Sequence, residues 1–262
     1  MSTQTTTHPT PSLTSNKPAS PIQQILKQTQ YELLLTSRRG ENILVTLVIP
    51  VLLLIFFASL NIVPATNGSP INFLLPGILA VAIMAAGMVN LGIATAYERY
   101  YGVLKRLGSS PLSRTSLILA KVISILVLEI VQVLLLIAVA VFFYSWHPTG
   151  SFLLTLSVIA LGTITFAALG LAMAGALRAE MTLAVANALF LVFILLGGGI
   201  LPLAHLPGPL AAIAQLLPAA ALTQSLQAAM SNGAAFPTFA FVTLVIWAVL
   251  VLVVAIRTFK WE

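Results

Sequence analysis

FLLPGILAVAIMAAGMVNLGIATAY, Phe73–Tyr97, runs directly into ERYYGVLKRLGSSP, Glu98–Pro111. The first part is an uncharged apolar run, long enough as a helix to cross roughly 30 Å of hydrocarbon, which takes about 20 residues. The second opens on a charged pair and adds Lys105 and Arg106 within two turns. So abrupt a change marks a helix leaving a bilayer on the side where Lys and Arg accumulate.

Working outward, five further runs of spanning length occur at Ile43–Val63, Leu117–Tyr144, Ser151–Leu177, Thr182–Leu203 and Thr238–Ile256. The chain is 59% hydrophobic and 7% charged, which fits no soluble globular class. The expected fold is an all-α integral membrane protein with six transmembrane helices. All twelve Lys and Arg fall on one side of that map. Lys17, Lys27, Arg38 and Arg39 precede span one, and Arg99, Lys105, Arg106, Arg114 and Lys121 follow span two or enter span three. Arg178 follows span four, and Arg257 and Lys260 follow span six. Both termini are therefore expected in the cytoplasm. Residues 64–72, 145–150 and 204–237 fall outside, with His147 and His205 as their only titratable side chains. The net charge of +6 is thus a topological signal, and nucleic acid is not an expected partner.

Residues 1–20 are polar, rich in Ser, Thr and Pro, and read as a disordered cytoplasmic tail without the apolar core of a signal peptide. Residues 21–39 form the next unit. Ser20-Pro21 offers an N-cap and a first-turn proline, and Ile22, Ile25, Leu26, Thr29 and Leu33 recur at helical spacing opposite Gln23, Lys27, Gln30 and Glu32. This reads as an amphipathic helix in the cytoplasmic interface, the alternative being an ordinary helix packed on the protein itself. Residues 40–262 make the transmembrane domain. Within it Ala204–Met230 is apolar and long enough for a seventh span, but Pro207, Pro209 and Pro218 interrupt it, and a crossing would move Arg257 and Lys260 outside. Two short re-entrant external helices are expected instead. Gly197-Gly198-Gly199 offers either a bend into them or a close helix contact.

Cys and Asp are both absent, which removes disulfides, thiolate metal sites and aspartyl chemistry. No Lys is followed by Ser or Thr, so the phosphate cradle of a P-loop cannot be built from this chain. The chain is expected to bind no cofactor or metal and to have no catalytic residues of its own.

Glu98-Arg99-Tyr100-Tyr101-Gly102-Val103-Leu104-Lys105-Arg106-Leu107-Gly108-Ser109-Ser110-Pro111 resembles the loop after span two in membrane subunits of ABC-2 type transporters. It is most similar to the bacterial daunorubicin-resistance type of multidrug exporter, whose pattern is approximately E-R-x-x-G-x-L-x-x-L-x-x-x-P. Glu98, Arg99, Gly102, Leu104, Leu107 and Pro111 match. Tyr100 and Val103 depart from residues common there, an acid and Thr. The resemblance extends to Phe73–Gly77 and to Leu201–Pro218, leaving only residues 1–20 outside. It implies that this loop is a coupling helix seated in a groove of a separate ABC ATPase subunit, present in two copies and holding the ATP and Mg²⁺. It also implies a second permease copy or a related permease, and an amphiphilic substrate such as a drug, antibiotic, lipid or lipid-linked metabolite, exported across the bacterial cytoplasmic membrane. Leu104 and Leu107, at i and i+3, offer an apolar ridge for the groove, ringed by Glu98, Arg99, Lys105 and Arg106.

Inside the spans, Glu129 lies near the middle of the third. An ionised carboxylate there costs roughly 2.5–3.5 kcal/mol, so it must face the interior, be neutralised or find a partner, for which Gln132 is one turn away. Lys121, nearer the cytoplasmic end, is expected to snorkel to the interface. Asn90 and Asn187 are the other deep amides, on the two helices that usually line the family's path, and with Glu129 they form the candidate substrate path. Hydrogen bonding between helices is their plainer reading, and Gly170-x-x-x-Ala174 reads as helix packing. An ion-coupled secondary transporter would rest on Glu129 alone. An intramembrane enzyme such as a protease would need a buried Ser/His pair, which the outlying His8, His147 and His205 do not supply, or clustered acids, whereas Glu129 stands alone within the spans. A non-transporting scaffold or immunity protein that docks an ATPase stays open.

Overall fold

The computed structural model describes residues 20–38, 40–60, 69–109, 112–231 and 235–258, and among these every regular element is helical. The polar tail, Pro111 and the end of the first apolar run lie outside the described residues.

Helix α1, Pro21–Arg38, starts where the sequence places it. The Gln23 N–H donates to Ser20 Oγ at 3.4 Å, and the Ser20 N–H donates to Gln23 Oε1 at 3.3 Å, a reciprocal cap. The expected apolar stripe is split between two sides. Ile25 and Leu33 are half-buried and Thr29 is buried, its hydroxyl 3.4 Å from the Ala120 carbonyl, while Glu32, expected on the polar side, points at Lys121. Ile22 and Leu26 stay exposed beside Gln23, Lys27 and Gln30. Helix α1 thus packs on its own chain and leaves an outward side of mixed apolar and polar residues, which suits a membrane interface.

Helix α2, Gly40–Ser59, carries a shorter apolar stretch, Thr46–Ser59. The next apolar run forms one 30-residue rod, Ile71–Tyr100, composed of α3 (Ile71–Met84), a π-helical segment (Ala85–Asn90) and α4 (Leu91–Tyr100). It is the axis of the fold, since 83% of its apolar window is buried within the chain, against 22% for α8. The π segment widens the helix by one residue per turn and offsets α4 from α3. A short helix α5, Val103–Gly108, follows.

Helices α6 (Arg114–Tyr144), α7 (Phe152–Ala176), α8 (Ala179–Leu196) and α11 (Thr238–Thr258) surround the axis. These four and the Ile71–Tyr100 rod are long and apolar enough to cross a membrane. Their outer faces expose residues such as Val131, Leu134, Leu191, Leu195, Ile246 and Val249, a surface suited to hydrocarbon and not to water. Helix α7 crosses the axis so closely that a Cβ on Gly170 would lie 2.6 Å from the Gly87 carbonyl oxygen. Small residues permit that approach, and Ala174 is buried one turn on.

After α8 the chain turns at Gly197–Gly199, and both sequence readings of these glycines hold. Gly198 adopts φ +71, while Gly199 lies against the backbone of Gly77 in α3. A 3₁₀ turn (Leu203–His205) leads to α9 (Gly208–Gln215) and α10 (Pro218–Met230), which meet at 81°. By length the pair would make a sixth span. The break frees the Leu216 carbonyl, which accepts from the Trp247 indole N–H at 2.8 Å. The far end of α10 is tied to the loop between α6 and α7, where the Ser151 N–H donates to the Ala229 carbonyl at 3.0 Å.

Candidate functional site

The segment 98–107 is held by its own chain at almost every position that the sequence singled out. Glu98, in the last turn of α4, reaches Lys121 Nζ at 2.8 Å. Arg99 donates from Nη1 to the Gly175 carbonyl at 2.7 Å and from Nη2 to the Leu177 carbonyl. Those are carbonyls at the end of α7, where the helix leaves acceptors unpaired and its dipole is negative, so a guanidinium is the matching cap. Gly102 adopts φ +70 and ψ 15, the left-handed geometry that ends α4 and starts α5 at a new angle.

Helix α5 then places Leu104, only 1% exposed, into an apolar cluster with Leu91, Leu117 and Leu171. Leu107 packs at the edge of the same cluster. The Leu104–Leu107 ridge therefore faces the chain's own membrane domain, because the turn at Gly102 redirects the chain so that α5 lays this side on the cluster. The face left outward carries Val103, Lys105 and Arg106, next to the exposed Tyr100 and Tyr101.

Lys121 departs from the snorkelling expectation. It is fully buried, about 10 Å into α6 at 1.5 Å per residue. Its ammonium lies 2.9 Å from Glu32 of α1 and 2.8 Å from Glu98 of α4. One cation thus joins three helices, and a nearby pair of carboxylates is a better partner than a distant interface.

Glu129 is also buried, at 1% exposure. Gln132 is not its partner, because that amide donates to the Thr46 carbonyl of α2 at 2.8 Å. The Thr163 hydroxyl of α7 donates to Glu129 Oε2 and also lies 2.8 Å from the Ile159 carbonyl oxygen. Glu129 Oε1 is buried with no hydrogen-bond partner.

Asn90, Glu98, Lys121, Glu129 and Gln132 line one cavity of about 90 Å³, together with Glu32 and Thr36 of α1 and Thr46 of α2. Asn90 donates to Thr46 Oγ1 at 3.2 Å, a bond between helices. Asn187 does not join them: it is exposed on α8 and donates to the Leu183 carbonyl of its own helix at 2.8 Å. Sequence reasoning missed Glu32, Thr46 and Thr163. Their only signal was a Lys and a Glu inside an apolar helix that each needed a partner. Among the described residues no group of three or more His, Cys, Asp or Glu is arranged to hold a metal ion.

Comparison with known proteins agrees with this architecture. Residues 23–231 match the family described as "ABC-2 type transporter". The chain is 27% identical over 164 residues to the "Probable multidrug ABC transporter permease YbhS" of Escherichia coli K12, a match covering 62% of this chain and 44% of the relative. It therefore spans less than half of that relative's length. It is also 28% identical over 219 residues to the "Putative transport permease ycf38" of Porphyra purpurea, covering 80% of this chain and 75% of that one. With its helical axis, its apolar outer faces and this match over most of its length, the chain belongs to the ABC-2 type transporter family and is a multi-pass membrane protein.

Proposed function

We propose that this chain is the membrane-spanning subunit of an ATP-driven exporter of amphiphiles in the bacterial cytoplasmic membrane, with both termini in the cytoplasm. Two copies of a separate ATPase hold the ATP and Mg²⁺, and a second permease, identical or related, completes the membrane unit. Helix α5 is the coupling helix. The observation that carries this reading is the mounting around α5: Glu98 on Lys121 and Arg99 on the end of α7 fix the last turn of α4 to α6 and α7, and Leu104 seats α5 in the core directly after it. A force applied to α5 would therefore move α4, α6 and α7 together, which is what a nucleotide-driven switch between conformations requires. The contact face is the outward one, Val103, Lys105 and Arg106 with Tyr100.

The α9–α10 hairpin is re-entrant and external. Gly199 lies beside Gly77 early in α3, and Ala229 binds Ser151 at the start of α7, so the segment leaves and rejoins the same end of the bundle. There it caps the path, with its broken backbone covered by protein.

The test is K105E/R106E in the complex with its ATPase. The double reversal lies on the exposed face and should abolish co-purification of the ATPase while membrane yield and melting temperature stay at the wild-type level. Retained association at full ATPase stimulation would refute the docking face. Leu104→Asp cannot serve here, because it places a charge in the core.

A further inference from the structure

We propose that the cavity between α1, α2, α4 and α6 binds the protonated amine of a cationic amphiphile, which enters along α4. The inference deepens the exporter reading and rests on it for the ligand being cargo.

The charges come first. Three carboxyl groups, Glu32, Glu98 and Glu129, face the cavity against one ammonium, Lys121. Lys121 is taken by Glu32 and Glu98 at 2.9 and 2.8 Å, so nothing positive is left for Glu129. The neighbouring amide, Gln132, is committed to Thr46. A buried carboxyl oxygen with no partner is costly to keep, and a ligand that donates an N–H to it removes that cost. Anions are repelled by this lining, and a neutral N–H donor gains the hydrogen bond alone, without the attraction of a cation to the surplus of acid.

The second observation is the entrance. A cleft of about 440 Å³ adjoins the cavity along α4, sharing Asn90 and Glu98 with it. Tyr97 and Tyr101 line this cleft, stacked with ring centroids 6.1 Å apart and planes at 27°. Aromatic faces beside a carboxylate are the surroundings that attract organic ammonium ions. The sizes divide the ligand. About 90 Å³ takes an ammonium head or about three waters, whereas the outer cleft falls in the range of small-molecule pockets, roughly 300–1,000 Å³. The amine goes inward towards Glu129 and the apolar body stays in the outer cleft, against the tyrosines.

The test needs no ATPase. The full chain in phosphatidylcholine nanodiscs is titrated with monodansylcadaverine, a fluorescent primary amine, and with its neutral N-acetyl derivative, and empty nanodiscs are subtracted. The expected result is saturable binding of the amine, at least tenfold tighter than the acetylated probe. Glu129→Gln, which keeps shape, should weaken the amine at least tenfold and leave the acetylated probe unchanged. Ala94→Phe, which fills the cavity from α4, should remove amine binding. Equal binding of the two probes by the wild-type protein, or unchanged amine binding by Ala94→Phe, would overturn the site. The exporter reading fails separately, if the complex binds the amine but shows no ATP-dependent movement of it.

Discussion

Lys121 and Glu129 lie on the same helix, just over two turns apart, each about 1% exposed, yet their surroundings differ in kind. Lys121 has two carboxylates from two other helices. Glu129 has one hydroxyl and an oxygen with nothing. Burying a charge is costly unless it is paired, so a paired one belongs to the architecture, and an under-paired one is kept for something that comes and goes. The same helix thus carries a fixed joint near its start and an open acceptor at mid-depth.

The largest effect should come from breaking the joint. Lys121→Met keeps the stem's bulk but leaves Glu32 and Glu98 facing each other without a cation. Removing one partner of a buried pair costs about 3–5 kcal/mol, so the variant should show a much lower melting temperature and yield. Adding E32Q and E98Q should restore most of the loss, because the stranded charges are then gone. A stable single variant would mean that water reaches the pair and that the joint is a surface feature.

Glu129 should behave in the opposite way. Glu129→Gln keeps the bond to Thr163, and Glu129→Leu strands nothing, since the Thr163 hydroxyl still has the Ile159 carbonyl at 2.8 Å. Both should change stability by less than about 1 kcal/mol, because no buried group loses its only partner. ATP-dependent transport of a cationic amphiphile should nevertheless fall at least tenfold. If Glu129→Leu unfolds the protein as Lys121→Met does, the contrast between the two residues collapses and Glu129 is structural.

Much of this was legible in the sequence, for identifiable reasons. A bilayer imposes length and polarity, so the apolar runs gave the helices, and Pro207, Pro209 and Pro218 gave the broken pair α9–α10. The motif Glu98–Leu107 was found as a pattern, but its reading as an outward ridge was not right for Leu104. Periodicity tells which residues share a face and not which way that face turns, and the turn at Gly102 reverses it. In α1 the stripe Ile25, Thr29 and Leu33 turns inward as read, and only Glu32 leaves the polar side, drawn in by Lys121. Partners such as Glu32 for Lys121, far apart in the chain, leave no local trace; only the cost of an unpaired buried charge hints that they exist. Asn90 and Asn187 looked alike as deep amides, and only the structure separates a residue in the cavity from one on an outer face.

The smallest effect sharpens the fixed side of the contrast. Gly102 stands between Arg99 and α5 at φ +70, and a Cβ added there would meet nothing within 4 Å. The cost of Gly102→Ala is therefore confined to the backbone, about 1 kcal/mol for a left-handed residue with a side chain. Gly102→Asn should cost less, because Asn tolerates this region. Melting temperature should fall slightly for Ala and less for Asn, in an order opposite to side-chain size, and ATPase stimulation should follow the same order. Strain in the turn and crowding at a partner's surface make different demands on that order. If Asn is worse than Ala for ATPase association while both melt like the wild type, the open space beside Gly102 is occupied in the complex. The joint at Lys121 then only holds α5 in place, and the partner reads the backbone of the turn itself.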